Sequence, residues 1–339
     1  MENINLLLFF CGFNLFIYFL YEKISKIINV YDVPNIRKIH KEKTPLIGGY
    51  IIFFNLTLFS SFVFFDLYNF NYTDGLFVNK YEYFIFYLAS SIFFFIGAID
   101  DKIDISPNIK LFLTTLLLIF ILNMDNTIII NHLRFSFIET VVSTGKYAKI
   151  LTILCFLLFI NACNMFDGIN LQSSSYISIL FFCIINLSYL NFFLIYILVA
   201  FVPIIFLNGR GKIFMGDSGI YLCSFIISYV LIKNYNINTS ITTDYIFILM
   251  MLPGIDMFRL FIQRMYNKRN PFSADTNHIH HLLLRKFNQR YTIIILNLFI
   301  IIPIYLSILN FSNVLIILFN FFLYFVFIFF FTKKSFLNI

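Results

Sequence analysis

The chain has 339 residues, of which 60% are hydrophobic and 12% charged, and a formal net charge of +7. Soluble domains carry about 25% charged residues, so the composition, with a mean hydropathy of +0.87, excludes an ordinary soluble protein and points to an integral membrane protein forming one domain over residues 1–339. The positive charge is spread through loops rather than gathered into a patch, so nucleic acid is not an expected partner and the lipid bilayer is.

A span needs roughly 20 apolar residues. Apolar runs lie at 4–21, 46–65, 83–99, 108–122, 148–163, 174–187, 192–207, 218–233, 244–262, 291–309 and 311–331. They predict an all-α, polytopic bundle of about eleven transmembrane helices. The first run has neither a basic segment before it nor an A-x-A-like site after it, so it reads as a retained span rather than a signal peptide. There is no Trp, which leaves Tyr to form an interfacial belt, and the 49 Phe read as lipid-facing or packing residues. Cys11, Cys155, Cys183 and Cys223 lie inside apolar runs and Cys163 at the end of one, without a CxxC pair. Buried free thiols are expected, not a disulfide or zinc framework.

An odd number of spans puts the termini on opposite sides. With the N-terminus periplasmic and the C-terminus cytoplasmic, nineteen of the 24 Lys and Arg residues fall inside, most of them in loops 22–45 and 263–290. Loops 66–82, 123–147 and 234–243 then lie outside and show no clustered chemistry.

Polar residues gather where apolar runs stop. The first loop reads Arg37-Lys38-x-His40 and then Lys43-Thr44-Pro45-x-x-Gly48-Gly49, a basic segment suited to a phosphate or an anionic lipid. Asp100, Asp101 and Asp104 close the third run; if the helix continues, Asp100 and Asp104 share a face and offer oxygen ligands to a hard cation. Asn161, Asn164 and Asp167-Gly168 recur every three residues at the end of the fifth run. Such amides serve either a polar ligand or helix–helix hydrogen bonding. Lys212-x-Phe214-Met215-Gly216-Asp217-Ser218-Gly219 opens the eighth run, where helix N–H groups and a close backbone approach suit a pyrophosphate, or a plain N-cap. His278-x-His280-His281 lacks an obvious fourth zinc ligand and reads better as a diphosphate-binding or proton-donating group. Intramembrane ionisable groups are costly and mark function.

Taken together and in order, these motifs resemble the polyprenyl-phosphate N-acetylhexosamine-1-phosphate transferase family, of glycosyltransferase family 4 type, over about residues 32–285. The H-x-H-H form is closer to its hexosamine branch, which includes undecaprenyl-phosphate GlcNAc-1-phosphate transferases, than to the peptidoglycan translocase. The resemblance implies attack of undecaprenyl phosphate on the β-phosphorus of a UDP-N-acetylhexosamine, with UMP leaving, in a bacterial inner membrane with the site on the cytoplasmic face. The implied cofactor is Mg²⁺, with Mn²⁺ as a substitute, and a homodimer is one option for assembly. It implies Asp217 as the foremost metal ligand, with Asp100 and Asn164 beside it. Asp100, Asp101, Asp167 and His280 take catalytic roles. Gly168, Asn170, Asn208 and Phe214 fall to the uridine end, and Lys212 to the diphosphate. Arg259, His278 and His281 fall to the sugar diphosphate, and Arg37 and Lys43 to a nucleotide or lipid phosphate. One departure stands out: where the family often shows D-G-x-D-G, this chain has Asp167-Gly168-Ile169-Asn170-Leu171. A secondary transporter, the rival reading, would place its polar residues near mid-span; here they collect at run ends.

Overall fold

The computed structural model describes residues 2–34, 42–67, 76–187, 192–271 and 275–332. Each of the eleven apolar runs forms one helix: α1 Glu2–Ile28, α2 Gly48–Phe64, α3 Lys80–Ile103, α4 Pro107–Met124, α5 Ala148–Phe166, α6 Gln172–Leu187, α7 Phe192–Gly209, α8 Gly216–Ile237, α9 Thr243–Tyr266, α11 Gln289–Ile308 and α12 Asn313–Thr332. A short α10, Ile279–Leu284, is added within the His-rich loop. Among the described residues nine helices are long and apolar enough to cross a membrane, while α2 and α6 are shorter apolar helices. The architecture is all-α and polytopic. Among the described residues the strands form two small antiparallel pairs, β1 (Tyr31–Asp32) with β2 (Thr44–Pro45) and β3 (His132–Phe135) with β4 (Ile138–Ser143).

Burial orders the helices. α8 is the axis, with nearly every side chain buried, and α3 makes the most extensive contact with it. The approach is close because Gly97 of α3 faces the backbone of Asp217, where any Cβ would overlap. α2, α5 and α6 complete the layer around α8. In α1 and α2, Asn14 and Asn55 exchange amide hydrogen bonds of 2.8 and 3.0 Å, a polar clasp in an otherwise apolar seam. α12 turns Phe319, Phe322, Phe325, Phe329 and Phe330 outward, as expected of a lipid-facing helix. All five cysteines are free; Cys163, Cys183 and Cys223 are buried, but Cys11 and Cys155 lie on exposed helix faces, contrary to the expectation of burial.

The loops read as bare of chemistry are not so. Where α3 begins and α4 and α8 end, the Glu82 carboxylate accepts from Lys233 Nζ, from Thr127 Oγ1 (3.0 Å) and from the Val78 N–H (2.6 Å). Asp125 beside it accepts from Tyr229 Oη (2.5 Å) and from Thr127. The Arg134 guanidinium lies over the Tyr235 ring at 4.0 Å and donates to carbonyls of the last turn of α8 and of the α8–α9 connection, tying the β3–β4 hairpin down. These contacts are non-local, which is why charge clustering along the sequence did not show them.

Candidate active site

The opposite end of α3 and α8 holds most of the motif residues. α3 does not continue through the DDxxD segment. Asp104 takes a left-handed φ of 51°, its N–H closes on the Asp100 carbonyl (2.9 Å), and α4 starts at Pro107. The shared face expected for Asp100 and Asp104 is therefore absent, and Asp104 is exposed. Asp100 turns inward instead. Its Oδ1 accepts the Ile105 N–H (2.7 Å) and its Oδ2 pairs with Lys110 Nζ. The same ammonium lies 3.6 Å from Asp217 Oδ2, so Lys110 bridges two carboxylates. Asn164 Nδ2 donates to Asp217 Oδ1 (2.9 Å), bringing α5 to the same point.

Lys110, within the 108–122 run, stood out in no motif. A signal was available: a cation in the first turn of a helix opposes the helix dipole. Its presence there implies an acidic partner from elsewhere.

Asp101 was expected to be catalytic. Its Oδ1 accepts the N–H of Asp217 (2.7 Å) and its Oδ2 that of Ser218 (3.0 Å). It thus caps the N-terminus of α8, where Gly216 takes a φ of 71° and a Cβ would come within 2.7 Å of Asp101 Oδ2. With both oxygens committed, Asp101 is a positioning residue that aims Asp217.

Among the described residues no three His, Cys, Asp or Glu side chains converge as a metal-holding group. The donor set is Asp100 Oδ2 and Asp217 Oδ2, already facing one cation, with the Asn164 amide alongside. Two carboxylates and an amide fit an ion such as Mg²⁺, which takes few protein ligands and completes its shell with water and substrate phosphates.

The 167–173 segment joins this cluster to the histidines. Asp167 follows the last turn of α5, and its Oδ1 accepts from Ser173 Oγ. Burial, together with the charges of Asp101 and Asp32 and against the Ser173 hydrogen bond, pushes its carboxyl up to about 6. Gly168 lies against the His280 ring, and a methyl there would overlap Nε2. His280 is only 1% exposed and its Nδ1 is 3.2 Å from Gln172 Nε2. Burial and the neighbouring His281 and His278 hold its pKa well below the ordinary imidazole value. The ring is thus wedged, buried, under Gly168. His281 is half-buried, with a ring centroid 4.3 Å from that of His280, and burial lowers its pKa as well. His278 Nδ1 faces Asp256 Oδ2 at 3.0 Å, and Arg259 Nη2 donates to Asp256 Oδ1 at 2.7 Å.

The remaining expectations divide. Asn208 is buried with its amide spent internally: Oδ1 accepts from Leu171 N–H (2.6 Å) and Ser174 Oγ (3.1 Å), and Nδ2 donates to the Ile213 carbonyl (2.8 Å). It braces the putting-together of two loops instead of meeting a base. Its bond to Leu171 also accounts for the departure from the family pattern. Leu171 has a φ of 69°, a conformation glycine adopts freely, and Asn208 holds it there. Asn170 lies next to Gly211. Phe214 makes a parallel bridge with Leu46 and bonds Pro45 and Gly48 through its backbone, locking the first loop onto the 212–215 turn. Lys212 and Lys43 are exposed, and Lys43 Nζ lies over the Tyr31 ring at 4.8 Å. Arg37 lies outside the described residues.

Residues 83–235, which contain Asp100, Lys110, Asn164, Asp167 and Asp217, match the sequence profile of the family described as glycosyl transferase family 4. The chain is 28% identical over 308 residues to the undecaprenyl-phosphate alpha-N-acetylglucosaminyl 1-phosphate transferase of Escherichia coli O157:H7, covering 87% of this chain and 80% of that protein. It is 26% identical over 314 residues to the enzyme of that name from Yersinia pestis, covering 84% and 78%. It is 28% identical over 302 residues to that from Pasteurella multocida, covering 83% and 78%. The resemblance read from the motifs is thus borne out: this is a polytopic protein whose residues 83–235 match the glycosyl transferase family 4 profile and which is similar along most of its length to bacterial undecaprenyl-phosphate alpha-N-acetylglucosaminyl 1-phosphate transferases.

Proposed function

We propose that the chain transfers an N-acetylhexosamine-1-phosphate from a UDP-sugar to a polyprenyl phosphate, releasing UMP. UDP-GlcNAc and undecaprenyl phosphate are the substrates its relatives' names favour. The observation that carries this reading is the Asp100–Lys110–Asp217 bridge, set against the N-terminus of α8 at one end of the bundle. An ammonium flanked by carboxylates is a site for phosphates and a hard cation together. The Lys and Arg distribution supports a cytoplasmic site, a periplasmic N-terminus and a cytoplasmic C-terminus.

A phosphate oxygen of the lipid attacks the β-phosphorus of the donor as the bond to the bridging oxygen breaks, and that oxygen leaves on UMP. Such a transfer needs positioning and charge compensation more than covalent chemistry. Lys110 supplies a fixed positive charge, Asn164 orients Asp217, and Asp101 holds the helix end that carries it. Asp100 and Asp217 would hold Mg²⁺, which when bound would neutralise the diphosphate and the developing charge on the leaving oxygen.

The test is purified protein in detergent with undecaprenyl phosphate, Mg²⁺ and a panel of UDP-N-acetylhexosamines, with UMP release as readout. Lipid-dependent release from one donor, lost on removal of divalent ions, is the expected result. Folded protein that releases no UMP from any donor overturns the proposal.

A further inference from the structure

Arg259 and His278 fall to the sugar diphosphate by resemblance, and the structure gives them a shared partner. Both are held by Asp256, an acidic residue of α9 that is 2% exposed and stood out in no motif. Its Oδ1 accepts from Arg259 Nη2 (2.7 Å), from Tyr324 Oη (2.6 Å) and from the Ile279 N–H (3.2 Å), while Oδ2 faces His278 Nδ1 (3.0 Å). Tyr324 comes from α12, otherwise a lipid-facing helix, and is 1% exposed. Its hydroxyl also accepts from Arg259 Nε (2.7 Å). The same Nη2 of Arg259 also donates to the Asn277 carbonyl (2.7 Å), at the root of α10.

We infer that Asp256 and Tyr324 are positioning residues for the nucleotide-sugar donor, a strut through which the last helix sets the His-rich loop. A carboxylate that takes four donors is saturated, so it does not meet a phosphate itself. It fixes one imidazole nitrogen of His278 and leaves Nε2 as the face turned to a ligand, as carboxylates do for working histidines elsewhere. It also explains why a guanidinium named as a phosphate clamp is nearly used up internally: four of its five N–H groups have protein partners. Arg259 acts by holding Asn277 and thus the start of α10. Among the described residues the tyrosine hydroxyl is the one side-chain polar group of α12 bonded into this network, which makes it the cleanest handle.

The inference rests on the proposed transferase reading for its functional half only. Tyr324→Phe keeps the ring and removes the hydroxyl; Asp256→Asn keeps the shape and removes the charge. In Tyr324→Phe the KM for the UDP-sugar is expected to rise on the order of tenfold, with kcat and the KM for undecaprenyl phosphate within about twofold of wild type. Amide exchange over residues 278–284 is expected to quicken in detergent without added substrate, and Asp256→Asn should do both more strongly. Unchanged donor KM in both variants, or equal losses toward both substrates, overturns the positioning role. If wild-type protein releases no UMP from any donor, the transferase reading falls by itself. The exchange measurement then decides the strut: unaltered exchange in both variants overturns it, and faster exchange confined to 278–284 sustains it.

Discussion

The two ends of α3 carry the same ingredients put to opposite uses. Glu82 and Asp100 are separated by about 27 Å of helix, and each pairs with a lysine from a neighbouring helix, Lys233 of α8 and Lys110 of α4. At the Glu82 end the lysine and carboxylate side chains are 2% and 9% exposed, both carboxylate oxygens have donors, and Asp125 beside them is equally satisfied. At the Asp100 end the lysine is 17% exposed, and it is shared with Asp217, whose side chain is 32% exposed and 3.6 Å away. A closed, fully partnered ion pair holds helices in register. An open one, with two carboxylates competing for one ammonium, is held ready for a further charged ligand. Charge alone does not mark a functional site; unsaturated, partly exposed charge does.

The sharpest way to break this comparison is to neutralise each end in turn. Asp217→Asn and Asp100→Asn are expected to lower UMP release by roughly a thousandfold, the scale of losing a directly acting electrostatic group. Their melting temperatures in detergent should hold or rise, because each removes repulsion between neighbouring carboxylates. A parallel fall in melting temperature and activity would make this end structural too. Glu82→Ala should do the reverse. It leaves Lys233 buried without its carboxylate, at a cost of about 3–5 kcal/mol, read as a large drop in melting temperature. Activity per folded molecule should stay within about threefold. A Glu82→Ala protein as stable as wild type would show that the far-end pair holds nothing together.

The same contrast explains what could be read from the chain. Spans follow from hydropathy, a local property, and each apolar run became one helix. Asp217 and Asn164 were legible because they stand in short motifs at run ends, and the structure brings them together at 2.9 Å. Lys110, Asp256 and Tyr324 were not, because each lies inside or beside an ordinary apolar helix and gains its meaning only from a partner far away in sequence. The Glu82–Lys233 pair spans 151 positions and was invisible for that reason. Surroundings were harder to read than residue types: Asp101 caps α8 and His280 is buried beneath Gly168, details that rest on partners brought in by the fold.

Asp167 tests the boundary between the two kinds of site. It is half-buried and lies next to the open cluster, and its carboxyl is pushed up to about 6 by burial first, with the charges of Asp101 and Asp32 adding to this against the Ser173 hydrogen bond. A raised carboxyl pKa means the folded protein favours the protonated form. Its contribution to stability is therefore complete below the unfolded value near 4 and is lost as pH rises through about 6. Two pH units correspond to about 2–3 kcal/mol. Asp167→Asn mimics the protonated form, keeps an acceptor for Ser173 Oγ, and should melt higher than wild type at pH 7 and at about the same temperature at pH 4. Melting curves of the two proteins from pH 4 to 7 check this directly. Parallel curves would mean that Asp167 is stabilised as a carboxylate after all, and its place would then be with the saturated charges of the far end rather than with the strained ones around Lys110.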